Sequence, residues 1–456
     1  MIWEQNVRIV VMLANLYEKG KSKCALYWPE EIGQAQSYQR VSVSVVEVIH
    51  KGNYIIRHMT IEEINSTYVS DQHLITQYHF IAWPDHGVPH TTTGLVRYMK
   101  EVQENQTQLQ NELQTTVPTV VHCSAGAGRT GTFIGFDYLM KELNETGSID
   151  VFKAVVGMRE QRMEMVQTIE QYIFMHKLLA EIVAFSETDL QFEQLHEKVG
   201  QQKRYQHASE MSKEFNDLSI LFGESTTSQV KIDNPAKVYY TSPEGSPGSQ
   251  RNGIYKVESY NPADHLMIGD EPTSDGMEAF FRVLLLENTV FIVQVDQQMQ
   301  ATIWPNQHDT MAQYGGISLQ FIDETINEDI KVTRIYVVNE EQQQKRQIFL
   351  FEFNFWTNLE TPTDDYNMIH FLSMIESYHS VTNECSMLFL SRTGFSKSVL
   401  LCAAWNLMSR YRAESMVDVF RTVKDITDSL PDVPLSLDQY KACYSFIATY
   451  TNPSQE

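Results

Sequence analysis

The feature that most constrains this chain is that it repeats itself. KCALYWPEEIGQ around Trp28 is echoed by MQATIWPNQHDTMAQYGG around Trp304, 276 positions later, and HFIAWPDHGVP around Trp83 by EFNFWTNLETP around Trp356, 273 later. TVVHCSAGAGRTGTFI around Cys123 returns as MLFLSRTGFSKSVLLC around Ser391, and QTIEQY as LSLDQY, both 268 later. Four echoes in one order mean two copies of one domain, and the slow drift of the offset is what small loop insertions and deletions leave. The 456 residues suffice for two domains with separate cores. We place them at 1–188 and 189–456.

Local patterns give the fold class. RVSVSVVEVIHKGNYIIRHMTIEE and TQYHFIAW alternate apolar and polar residues and are rich in Val and Ile, which predicts neighbouring antiparallel strands. VPTVVHC reads as a buried strand, and RTGTFIGFDYLMKEL after it has helical spacing. Each copy is therefore expected to be α/β, a mixed β-sheet flanked by helices. LQFEQLHEKVGQQKRYQHASEMSKEF predicts one connecting helix, and the Gly, Pro and Ser of 241–253 a surface excursion. Aligning MIWEQNVRIVVML with VLLLENTVFIVQV pairs Met1 with Val283. The second copy then carries 94 residues, 189–282, ahead of this point that the first lacks, so the first domain reads as N-terminally truncated, with exposed apolar surface and an unpaired sheet edge expected.

Composition removes several function classes. A formal charge of -23 argues against binding nucleic acid through phosphate neutralisation, so any anion site must be local. The first copy holds 15 basic against 21 acidic residues, leaving 20 and 37 for the second, which is the more acidic half. Five widely spaced cysteines suit a reducing compartment, and the absence of a signal peptide or a membrane-length apolar run completes a cytoplasmic reading. Three Asn-x-Ser/Thr triplets, from Asn65, Asn105 and Asn144, are too short a pattern to outweigh it.

The chemistry is concentrated in His122 to Thr130, between a predicted strand and a predicted helix. Successive backbone N–H groups of Ser124, Ala125, Gly126, Ala127 and Gly128 in a tight turn form an anion nest, the helix start adds its positive dipole end, and Arg129 offers a planar fork for phosphate oxygens. A field that binds phosphate also stabilises a thiolate. Cys123 is thus expected to be acidified and nucleophilic, with Thr130 donating to its sulfur. A cysteine protease or a zinc site would leave Arg129 without a role, and no second cluster has metal-ligand spacing. No metal or other cofactor is called for.

This run matches the HCxxGxxR signature of the protein tyrosine phosphatases, and the tandem copies resemble the cytoplasmic half of the receptor-type family across nearly the whole chain. The resemblance implies further roles. Asp85 of Trp83-Pro84-Asp85 would be the general acid toward the leaving tyrosyl oxygen and then the base toward water. Gln167 and Gln171, i and i+4 in a helical pattern, would position that water. Glu18 would orient Arg129, Lys23 would approach the acid loop, and His122 would support the acidity of Cys123 through local hydrogen bonds; Cys24 is a packing residue. Phosphotyrosine-containing proteins become the expected partners, in a relative anchored to the membrane outside this chain. Neutral Ser124, Ala125 and Ala127 favour them over inositol phosphates.

The second copy departs from the first where it matters. Ser391 replaces Cys123, Lys397 replaces Arg129, Asn358 replaces Asp85 and Leu435 replaces Gln167, while Gln439 still matches Gln171. A serine hydroxyl is a poor nucleophile beside a thiolate, and lysine cannot reproduce the arginine fork. A regulatory pseudophosphatase domain is expected. Two classes compete for the whole chain: a tyrosine phosphatase acting through Cys123, and an inert interaction protein.

Overall fold

The computed structural model describes every residue except 65–71, 85–86, 186–187, 205–209, 226–236, 240–252, 297–302, 307–309, 357–359, 383–384, 393–394, 431–434 and 453–456. The chain divides into two units, Met1–Glu187 and Thr188–Glu456. Asp85, Asn358 and nearly all of the 241–253 excursion lie outside the described residues.

The first unit contains β1 (Ile9–Met12), β2 (Tyr17–Glu18), β3 (Lys21–Ser22), β4 (Ala35–Tyr38), β5 (Val41–Lys51), β6 (Tyr54–Glu63), β7 (Gln72–Phe80), α1 (Thr93–Leu113), β8 (Thr119–His122), α2 (Gly128–Thr146), α3 (Val151–Gln161) and α4 (Ile169–Ala184). Its main sheet runs β4-β5-β6-β7-β1-β8. Strands β4 to β7 pair antiparallel, as the alternation along 41–80 predicts, and β1 lies parallel to both β7 and β8. Strand β1 is apolar at all four positions and buried at all four, because side chains cover it on both faces. Ile9, Val11 and Leu13 join Tyr98, Phe133, Phe136 and Phe174 from the helices. Val10 and Met12 face Trp28, Val43 and Met59 on the other side. One expectation fails here: β8 is half-buried along its length, because only β1 pairs with it and it forms the sheet edge.

In the second unit come α5 (Phe192–Arg204), α6 (Glu210–Ser225), β9 (Lys237–Tyr239), β10 (Gly253–Val257), β11 (Asp264–Asp270), α7 (Met277–Leu286), β12 (Phe291–Gln294), β13 (Met311–Tyr314), β14 (Ile317–Asn327), β15 (Ile330–Asn339), β16 (Gln344–Phe353), α8 (Asp365–Thr382), β17 (Cys385–Ser391), α9 (Ser396–Glu414), α10 (Val419–Asp428) and α11 (Leu437–Tyr450). Its sheet runs β13-β14-β15-β16-β12-β17-β11-β10-β9. The repeat survives in fine detail. A register shift between Val45 and Glu47 recurs between Phe321 and Asp323, at the same 276-residue offset. The predicted single connecting helix is instead two, α5 and α6, and both belong to the second unit.

Candidate functional site

Strand β8 delivers Cys123 to the end of the sheet, and α2 begins five residues later. Between them, Gly126 turns the chain at φ +67, a conformation that strongly favours glycine. The turn folds the loop back on the sulfur. Thr130 Oγ1 donates to Cys123 Sγ at 3.2 Å and the Gly126 amide at 3.3 Å. Burial alone would push the Cys123 thiol up. Hydrogen bonds from the Thr130 hydroxyl and from the amides of Thr130, Gly126 and Ala127 outweigh it and hold the thiol below its ordinary value. Cys24 makes the contrast. Its Sγ donates to the Cys123 carbonyl at 3.4 Å, and burial, together with the charges of Cys123 and Glu18, raises its thiol, so it stays protonated.

Arg129 sits in the first turn of α2 with its fork on Glu18: Nη1 donates to Oε1 at 2.6 Å and Nη2 to Oε2 at 2.9 Å. It also donates to the carbonyls of Leu13 and Pro84, each at 3.0 Å. Glu18 is buried, and Lys23 approaches it at 3.8 Å. Pro84 belongs to the Trp83-Pro84-Asp85 segment, so that segment touches Arg129 through its backbone. Trp83 is buried beside Phe80 and Phe174, and its indole donates to the Gly87 carbonyl at 3.3 Å.

The two glutamines do not share a helical face, contrary to the spacing argument. Gln167 precedes α4 and is exposed, with its side chain donating to Glu164. Thr168 is the N-cap, and Gln171 is the third helical residue of a capping box: its backbone amide donates to the Thr168 hydroxyl while its Oε1 accepts from the Gln167 and Thr168 amides. Gln171 is buried against the loop. A side chain at Gly128 would lie 2.8 Å from its Nε2.

Several residues that sequence reasoning passed over hold the loop. Arg162 donates from Nε to the Gly126 carbonyl at 2.7 Å and from Nη2 to the Ala125 carbonyl at 3.0 Å. With these carbonyls drawn away, the neighbouring amides are left to face the sulfur. Arg159 holds the turn before α4 through the carbonyls of Met165 and Val166. Behind Cys123, His122 Nδ1 lies 3.3 Å from the Cys123 carbonyl and Nε2 lies 2.8 Å from the Tyr27 hydroxyl. Burial lowers the basicity of His122, so its ring is neutral at neutral pH.

The second unit arranges the same place differently. Ser391 is buried and donates from Oγ to Asp296 Oδ2 at 2.8 Å, and the next amide, Arg392 N–H, donates to the same oxygen at 2.7 Å. Asp296 stands where the first unit has Ala14, since Leu13 and Val295 make the equivalent backbone bond to His122 and Leu390, both at 2.9 Å. A carboxylate thus takes the hydroxyl and the first loop amide. Lys397 lies over the Trp356 ring at 5.4 Å, with burial lowering its basicity against the opposing pull of Asp296. Leu435 precedes α11, where Ser436 and Gln439 repeat the capping box of Thr168 and Gln171.

The protein-tyrosine phosphatase family model matches residues 1–181 and 252–449, and the chain belongs to that family. Receptor-type tyrosine-protein phosphatase alpha of Mus musculus is 30% identical over 485 residues, an alignment covering 99% of this chain and 56% of that protein. Its Homo sapiens counterpart is 30% identical, with 99% and 58% covered. Receptor-type tyrosine-protein phosphatase epsilon of Rattus norvegicus is 26% identical, with 99% and 67% covered. This chain therefore spans a little over half the length of the alpha relatives.

Proposed function

We propose that the chain hydrolyses phosphotyrosine in proteins through its first unit, and that the second unit is a regulatory pseudophosphatase. The observation that carries this reading is the sulfur of Cys123, acidified by Thr130 and the loop amides at the start of a helix that also presents Arg129.

In the proposed reaction the Cys123 thiolate attacks phosphorus in line and the bond to the tyrosyl oxygen breaks. Asp85 protonates that oxygen as it leaves, since expelling a bare phenolate is costly. Arg129 and the amides of Ser124 to Gly128 stabilise the equatorial oxygens. Water, positioned by Gln171 and Gln167 and deprotonated by Asp85, then attacks the phosphocysteine, releasing phosphate and restoring the thiolate. Glu18 holds the Arg129 fork in plane for this. The neutral side chains of Ser124, Ala125 and Ala127 support phosphotyrosine over polyanionic inositol phosphates. None of the four cysteines with described side chains is in a disulfide, which supports a reducing, cytoplasmic setting. Among the described residues, no helix is long and apolar enough to cross a membrane.

In the second unit, the loss of thiol and guanidinium and the carboxylate on Ser391 all weigh against turnover. Hydrolysis of a small aromatic phosphate by the purified chain, compared with Cys123→Ser, is the test. Turnover that persists in the serine variant refutes the thiolate mechanism, and no turnover in either favours an inert interaction protein. Asp85→Ala is expected to slow turnover while keeping affinity; lost affinity with intact turnover would contradict its assigned role.

A further inference from the structure

We propose that Arg57, Gln77 and Tyr27 form a one-way hydrogen-bond relay that fixes which ring nitrogen of His122 carries the proton and so orients the carbonyl of Cys123. They are positioning residues for the nucleophile, and the proposal rests on reading Cys123 as such.

The direction follows from donor chemistry. Arg57 on β6 faces Gln77 on β7 across the ladder, and its Nη1 lies 3.0 Å from Gln77 Oε1. A guanidinium only donates, so the Gln77 oxygen must face it and the amide nitrogen must point away. That nitrogen lies 2.7 Å from the Tyr27 oxygen and donates to it. Burial raises the Tyr27 phenol well above its usual range, so the hydroxyl keeps its proton and has it to give. Two acceptors are in reach: the Met12 thioether at 3.8 Å, a weak one, and His122 Nε2 at 2.8 Å. The proton goes to Nε2. A neutral ring that accepts at Nε2 carries its own proton on Nδ1, which faces the Cys123 carbonyl at 3.3 Å. Gln77 is fully buried, so water does not compete for its amide.

Arg57 is fixed in turn. Its Nη1 also lies 3.2 Å from His79 Nδ1, and its guanidinium covers the Trp28 ring at 4.7 Å. Because arginine donates there too, His79 is protonated on Nε2, which gives to the Ala14 carbonyl at 3.0 Å.

The duplication supplies an internal control. At the repeat offsets, Arg57, Gln77, Tyr27 and His122 correspond to Thr333, Leu350, Ile303 and Leu390. Thr333 and Leu350 pair across β15 and β16 as Arg57 and Gln77 pair across β6 and β7. Guanidinium, amide, phenol and imidazole are all absent from the unit that also lacks the thiol, with Thr333 the one polar replacement, and the same fold forms without them. What the relay serves is therefore the cysteine loop, not the sheet.

The experiment uses the full chain with 15N-labelled histidine, the His122 resonances being assigned by their absence from His122→Gln. In the parent protein at neutral pH, Nδ1 is expected to give a pyrrole-type shift and Nε2 a pyridine-type shift. Finding the proton on Nε2, or on both nitrogens, overturns the relay without any variant. Gln77→Glu presents an acceptor to Tyr27 in place of a donor. The hydroxyl should turn to it, His122 should switch to the Nε2–H form, and alkylation of Cys123 by iodoacetamide should slow by about three- to tenfold, the worth of one hydrogen bond. With Tyr27→Phe already in place, Gln77→Glu should change neither readout. A slowing that persists there would be the carboxylate charge acting through space, and would sink the proposal. Arg57→Lys, which still only donates, should keep the parent tautomer. Neither readout needs turnover, so an inactive chain with the expected spectra refutes the phosphatase reading alone and leaves the relay standing.

Discussion

Phe152 and Phe420 occupy one position in the two copies, the second residue of α3 and of α10, each following an aspartate N-cap that accepts from the third helical amide. Phe152 is 69% exposed and Phe420 1% exposed. The same residue in the same local frame has opposite fates because α10 packs against α6 and β10, elements with no counterpart among those described in the first unit. Strands β8 and β17 differ likewise: β17 is paired on both sides, by β12 and β11, whereas β8 is paired by β1 alone. A repeat unit inherits its helices and strands from its own sequence, but their burial comes from whatever packs over them. The thiol and guanidinium of the proposed site lie on the less covered unit, and the better covered one has Ser391 and Lys397 in their places.

The sharpest way to break this division is kinetic. Cys123→Ser is expected to lower kcat on an aromatic phosphate by roughly 10⁴-fold or more, while Ser391→Ala leaves it unchanged; a fall in the second variant would give the second unit a catalytic part. Next in size comes the phenylalanine pair. Phe420→Ala should cost about 3–5 kcal/mol in denaturant unfolding of its unit, against less than about 0.5 kcal/mol for Phe152→Ala. Equal costs would mean that Phe152 is covered in solution. Thr130→Ala removes a hydrogen bond to a charged sulfur, worth about 1.5–3 kcal/mol, or roughly one to two pH units. Because the folded thiol is held low, the rate of Cys123 alkylation should rise with pH earlier than for an ordinary thiol, and the variant should move that rise to higher pH. An unmoved profile would mean that the amides suffice. Smallest are the two capping boxes. Gln171→Ala and Gln439→Ala should each cost about 1 kcal/mol of stability, yet only the first should slow turnover.

Much of this was readable from the sequence, and the misses have physical reasons. The repeat, the hairpin of β5 and β6 and the cysteine loop are local patterns, and local patterns survive folding. The half-burial of β8 was not readable, since VPTVVHC has the composition of a central strand and only its neighbours decide its place. Gln167 and Gln171 suggested a shared face by their spacing, but Thr-Ile-Glu-Gln carries an N-cap and its partner, which starts the helix after Gln167. Arg162 acts on carbonyls 36 and 37 positions away, beyond any periodicity. The signal that could have found it lies in the duplication: Arg159 and Arg162 correspond to Thr427 and Leu430, so the copy without the thiol also lacks both arginines.

Glycine 131 has a consequence for any attempt to revive the second copy. A methyl group added there would sit 2.3 Å from the Val166 nitrogen, so α2 and the turn before α4 can nest only because the side chain is missing. Valine 399 fills the matching place in α9, and it is fully buried. Restoring thiol and guanidinium alone would leave a buried isopropyl group where α2 carries no side chain, so resurrection needs a deletion of bulk as well as a gain of chemistry.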